Sequence, residues 1–104
     1  MRKKDLIYEN KDRTGTQYIY EFDNEYGASV IKNKISYGNE QGLWELAILF
    51  FNSENGYEVI QDNSLIQDIT GKEFIYDSVI GFLTEKEVDE ILNKIEQYEE
   101  KLWN

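Results

Sequence analysis

The chain has 104 residues, the length of one domain with one modest core. Eight Tyr, five Phe, two Trp and a 40% hydrophobic content supply the burial that disordered chains lack, so it folds despite a net charge of −10. With no His and no Cys, it cannot build a disulfide, a thiolate or imidazole metal site, or a Ser-His-Asp or Cys-His nucleophile.

Residues 1–16 read as an edge strand or a frayed arm, closed by the polar turn from Lys11 to Thr16. Over 17–23 the period-two pattern predicts a strand, with Tyr18, Tyr20 and Phe22 on one face and Ile19 and Glu21 on the other. The turn Asp23-Asn24-Glu25 is short, so 26–32 returns as a hairpin partner, and Gly27 marks a bulge or a close approach of backbone. The polar loop 33–42 holds Gly38 and Gly42 at positions of unusual backbone angle.

Apart from Glu45, segment 43–51 is apolar on both faces and reads as a central strand covered on both sides. Left open, its Leu43, Ala47 and Leu49 face would become an interface, with self-association as a competing role. Asn55-Gly56 is a hairpin signal, and 57–61 returns as the partner strand. Residues 62–71 look irregular, and 72–83 reads as a short strand or a packed connector.

The C-terminal helix, 84–103, is the best-marked element. Thr84 and Glu87 fit a capping box. Val88, Ile91, Leu92, Ile95, Tyr98 and Leu102 form an apolar stripe. Glu85, Asp89, Glu90, Glu96, Glu99 and Glu100 supply acids outside that stripe, and these six are the candidate partner-binding residues.

The fold class that follows is α+β: an antiparallel β-meander of about four to five strands with one C-terminal amphipathic helix packed on the sheet. The whole of 1–104 is a single domain, with sheet and connector over 17–83. Its expected core holds Tyr20, Phe22, Val30, Trp44, Leu46, Ile48, Phe50, Val59, Phe82, Val88, Ile91, Leu92 and Ile95.

No GxxxxGK[ST] or GxGxxG is present, so chemistry would fall to carboxylates, and sequence singles out no pair among 21. The expectation is a protein that binds rather than catalyses and needs no cofactor. From Asp62 to Glu73 runs a stretch of calcium-loop length, but its fifth and sixth positions are Ile66 and Gln67, so a polar loop is favoured. Tyr18, Tyr20, Tyr26, Tyr37 and Trp44 would suit a base-stacking platform only beside a basic groove, and cross-strand packing is the better reading.

Charge is uneven along the chain. Residues 1–52 carry seven basic and eight acidic side chains, and 53–104 carry four and thirteen. A negative field repels nucleic acid and anionic membrane and draws basic partners, although it also serves plain solubility. A row of carboxylates, Glu54, Glu58, Asp62, Asp68, Glu73 and Asp77 with the acidic helix face after them, could imitate a duplex and occupy the basic cleft of a DNA-binding protein, but a solvated helix face is the favoured reading. No apolar h-region follows Met1-Arg2-Lys3-Lys4, and the longest apolar run, 46–51, is far short of the roughly 20 residues a bilayer requires. A cytoplasmic protein is the simplest reading.

Three stretches carry a resemblance: Tyr26-Gly27-Ala28-Ser29-Val30 with Tyr37-Gly38, Gly42-Leu43-Trp44-Glu45-Leu46-Ala47, and the segment Asp77-Ser78-Val79-Ile80-Gly81-Phe82-Leu83-Thr84-Glu85-Lys86-Glu87-Val88. In order and spacing they are similar to a group of small phage and prophage proteins of unassigned function. The resemblance implies a mobile-element protein inside a bacterial cell, and no catalytic signature. It favours an accessory protein that binds a host defence or regulatory protein, with a structural or self-assembling phage component as the alternative and a carboxylate-dependent enzyme behind both.

Overall fold

The fold is taken from a computed structural model, which describes residues 1–54, 56–72 and 78–99. In chain order it has β1 (Leu6–Asp12), β2 (Gly15–Glu21), β3 (Tyr26–Asn33), a 3-10 turn (Asn39–Gln41), β4 (Trp44–Ser53), β5 (Gly56–Val59), α1 (Asn63–Thr70), β6 (Val79–Leu83) and α2 (Glu85–Gln97). All strand pairs are antiparallel, in the order β1-β2-β3-β4-β5. β6 also pairs with β4, along its first half, while β5 pairs with its second half.

Side-chain alternation gives this sheet two unlike faces. Facing the helices, Tyr18, Val30, Leu46 and Ile80 stand in one cross-strand row, and Tyr20, Ala28 and Ile48 in the next. Both helices bury their apolar residues in that same core, α1 through Ile66 and Ile69, α2 through Val88, Ile91, Leu92 and Ile95. On the opposite face, Ile19, Ser29, Ala47 and Val79 line up. The sheet closes tightly at Gly27, where a Cβ would lie 2.0 Å from the Tyr20 carbonyl oxygen.

The α+β class and the antiparallel meander hold, but the sheet has six strands and there are two helices. The first segment is a true edge strand, β1, in which Ile7 is an extra bulged residue left in solvent. The stretch expected to be irregular is α1. Asp62 accepts the N–H groups of Ser64 and Leu65, and Gly71 ends the helix in the left-handed conformation. The calcium-loop reading fails for the same reason, because helix occupies its middle and the Asp62 carboxylate is a cap. Glu73 lies outside the described residues.

Two expected core residues are exposed, Val59 at 40% and Phe82 at 46%. Val59 sits on edge strand β5 opposite Leu49, on the face away from the helices. Phe82 belongs to a bulge: four residues of β6, Ile80 to Leu83, span three of β4, Leu46 to Trp44. Its backbone is left-handed, φ 58°, which lets Ile80 and Leu83 both point inward while its ring turns out. Phe50 is only half-buried.

Of the β4 outer face, Leu49 is fully buried and Leu43 and Ala47 are half-buried, so the face is not open to water as a whole. Of the five aromatic residues that a base-stacking platform would use, Tyr20, Tyr26 and Trp44 are buried. Helix α2 has the capping box of Thr84 and Glu87 and stops at Gln97, with Tyr98 as its extended cap, short of the expected end. Leu102 lies outside the described residues.

Candidate functional site

Of the five candidate acids among the described residues, Asp89 and Glu96 are engaged inside the molecule. Asp89 accepts the main-chain N–H of Arg2 at 2.9 Å, and Glu96 accepts Arg2 Nη1 at 3.1 Å and lies 3.7 Å from Lys4 Nζ. Arg2 also donates to Asn93 Oδ1 (2.7 Å) and Asp5 Oδ2 (3.1 Å), and its guanidinium lies 5.1 Å from the centre of the Phe22 ring. The Tyr20 hydroxyl donates to the Arg2 carbonyl at 2.7 Å. Asp89, Asn93 and Glu96 recur along one side of α2, so that side is a dock for the N-terminal arm.

Electrostatics follow from that dock. The hydrogen bond from Arg2 holds the Glu96 carboxyl below its ordinary range. Burial, reinforced by the charge of Asp89, pushes the Tyr20 phenol up to about 12. Glu85 and Glu90 remain exposed on α2, and Glu99 lies exposed just past its end. Glu100 lies outside the described residues.

The tertiary fold then gathers acids that are distant in sequence. The turn between β2 and β3, the end of β4 and the C-terminal end of α2 meet at one end of the sheet. Register places them there: Tyr26 pairs with Phe50, and Glu21 with Gly27. Asn24 ties the helix in, donating from Nδ2 to the carbonyls of Ile95 (2.8 Å) and Tyr98 (3.0 Å), while its Oδ1 accepts the Tyr26 N–H. Glu21, Asp23, Glu25, Glu54, Glu58 and Glu99 are therefore all carried at this end, all of them exposed. The opposite end, formed by the β1–β2 turn and the end of β3, carries Lys11, Arg13, Lys32 and Lys34.

Within the acidic end lies a cleft of about 380 Å³. Tyr26, Phe50 and Tyr98 line it, with Tyr26 packed between the other two: ring centres are 5.2 Å apart to Phe50 and 5.5 Å, edge to face, to Tyr98. The Tyr98 hydroxyl reaches Asp68 Oδ2 at 3.2 Å, which fixes the ring against α1. Glu25 and Glu99 stand at the cleft. Glu25 has a left-handed backbone, φ 73°, held by its N–H to the Phe22 carbonyl (3.1 Å) and by its carbonyl to the Phe51 N–H (2.8 Å). Among the described residues no Lys or Arg lines the cleft.

Of this site, Glu99 is one of the six candidate acids, Glu54 and Glu58 belong to the carboxylate row that could imitate a duplex, and Tyr26 belongs to the aromatic set read as cross-strand packing. The rest depends on pairings across the sheet that no local pattern encodes. Asn24 and Glu25 carried a usable signal, a polar turn between aromatic strands, but it was read as a turn alone. Among the described residues no cluster of acids has the geometry of a metal site, and no helix is long and apolar enough to cross a membrane. Neither a protein-family model, nor a curated protein, nor a solved structure matches the chain.

Proposed function

We propose that the chain is a non-enzymatic accessory protein of the phage and prophage kind that it resembles, and that it acts by binding the basic surface of a host protein. The observation that carries this reading is the acidic end: six exposed carboxylates, Glu21, Asp23, Glu25, Glu54, Glu58 and Glu99, brought together from three separate stretches of chain. Such a concentration of one sign steers a cationic partner and makes the encounter salt-dependent. A partner that normally holds nucleic acid has the required surface, and occupying it would inhibit that partner.

The test is capture from bacterial lysate, with three baits compared side by side. These are the wild-type chain, an Asp23→Lys/Glu54→Lys variant, and a Lys32→Glu/Lys34→Glu variant altered at the other end. The expected partner is basic, elutes as salt is raised, is lost with the first variant and is kept by the third bait. Equal capture by all three baits, or no protein above background, refutes the reading.

The opposite signs of the two ends favour one alternative, head-to-tail assembly of copies of this chain into a structural phage component. Sedimentation would separate the two. A mass that grows with protein concentration and falls with salt supports assembly, and a constant monomer mass removes it.

A further inference from the structure

We infer that the outer edge of β1 docks a second copy of this chain, which pairs its own β1 antiparallel across a two-fold axis at Asn10. Strand β1 ends the sheet, and among the described residues nothing pairs with its outer side. The two-residue turn Arg13-Thr14 makes Asp12 and Gly15 a hydrogen-bonded pair. Alternation then turns the main-chain N–H and C=O of Tyr8 and Asn10 toward β2, and those of Glu9 and Lys11 outward. Such an edge is a template for another strand, and the chain has no proline to blunt it. The other end of the sheet is a poorer template: β5 has four residues, a register shift and Glu58.

Two independent features place the axis at Asn10. The first is geometry. Pairing with β2 is regular from Tyr8 to Asp12, between the bulge at Ile7 and the turn at Arg13, and Asn10 is the middle of that stretch. The second is charge. With the axis at Asn10, Glu9 stands opposite Lys11 of the second copy and Lys11 opposite its Glu9, joined by about four main-chain hydrogen bonds. The neighbouring registers, centred on Glu9 or on Lys11, set two carboxylates or two ammonium groups against each other, which is destabilising. Glu9 and Lys11 of one copy already lie 3.4 Å apart, so the four charges alternate in sign around the axis. On the other face Tyr8, 47% exposed, comes opposite Asp12 of the second copy.

A net charge of −10 makes copies of this chain repel, but residues 1–16 carry five basic and three acidic side chains, so this edge meets its twin without that penalty. Both undescribed stretches of several residues attach elsewhere: 73–77 join α1 to β6, and 100–104 follow Glu99, past the contact of Tyr98 with Tyr26. Through Gln17 and Ile31, Asn10 lies two strands over and five residues along from Tyr26, about 20 Å away. In the pair the two sheets run on as one, with the helices on the same face and the acidic ends at opposite extremes. The inference rests on β1 and not on the acidic end, so it stands or falls apart from the partner reading.

The experiment is sedimentation equilibrium of the full chain from about 10 µM to about 1 mM, a range suited to a small interface. A monomer–dimer equilibrium that stops at two copies is expected. Glu9→Lys and Lys11→Glu should each weaken it by about tenfold or more, since each sets like charges opposite one another on both sides of the axis. An equal mixture of these two variants should restore the dimer, because every cross-axis pair is then opposite in sign. Asn10→Cys, in a chain with no cysteine of its own, should link into a disulfide dimer about tenfold faster or more than Ile35→Cys, although Ile35 is 89% exposed on a loop. A monomer at every concentration, a mixture no tighter than its components, or equal linking of the two cysteine variants would each overturn the edge pairing. So would a mass that grows past two copies, which is the head-to-tail outcome.

Discussion

Replacing Arg2 with alanine should lower stability by about 2–3 kcal/mol at neutral pH, and the loss should shrink in acid. The side chain is only 13% exposed, so its stem as well as its charge is buried against the sheet and α2. Its partners Asp5 and Glu96 are 24% and 31% exposed and can recover water, which limits each ion pair to roughly 0.5 kcal/mol. The contact with Phe22 contributes about 0.5–1 kcal/mol, and the lost stem packing about 1 kcal/mol. The Arg2 main chain keeps its bonds to Asp89 and Tyr20, so the arm should stay docked and the chain should remain folded. At this length about 2–3 kcal/mol corresponds to a fall in Tm of roughly 8–12 °C.

The pH dependence has a definite sign. Glu96 has a lowered pKa in the fold, caused first by the Arg2 hydrogen bond. Its contribution is therefore complete above the unfolded carboxyl value, about 4.3, and is lost as pH falls through the lower folded value. Urea unfolding of wild type, Arg2→Ala, Glu96→Gln and the double variant at pH 7 and pH 3 measures this directly. Coupling between the two sites should be clear at pH 7 and smaller at pH 3, shrinking as pH falls through the lowered folded value of Glu96. Additive effects at pH 7, or a penalty for Arg2→Ala that does not change with pH, would refute the account of the dock.

Gly27→Ala should cost about 3 kcal/mol or more, because the new Cβ would lie 2.0 Å from a backbone oxygen that cannot move without parting β2 from β3. An unchanged urea midpoint would refute the close approach. Alkaline spectrophotometric titration should show the Tyr20 phenol ionising at about 12, a step lost in Tyr20→Phe. Since that folded value is raised above an unfolded value of about 10, the stabilisation from neutral Tyr20 is complete below the latter and lost as pH rises through the former. A Tyr20→Phe titration identical to wild type would refute it.

Local signals accounted for much of the fold. Alternation placed Tyr20 and Phe22 in the core, Gly27 marked a real close approach, and Thr84 with Glu87 marked the start of α2. Each of these is written within a few residues, by a side-chain period or a backbone demand. Helix α1 was missed because eight residues give only two turns of apolar spacing, although Asp62 and Gly71 marked both its ends. Val59 and Phe82 were placed in the core because apolar character was taken for inward direction. An edge position and a one-residue bulge reversed that direction.

For function, the sequence by itself determined the chemistry available: carboxylates in excess, abundant aromatic rings, and neither imidazole nor thiol. It also showed an acidic second half, but halves of a chain are not ends of a molecule. Only the tertiary structure decided that Asp89 and Glu96 are held by Arg2, and that Glu21, Asp23 and Glu25 from the first half join Glu54, Glu58 and Glu99 from the second. The reason is physical. Charge acts through space, and the distances between these groups are set by strand register and by one asparagine, Asn24, that ties a turn to the end of a helix more than seventy residues away.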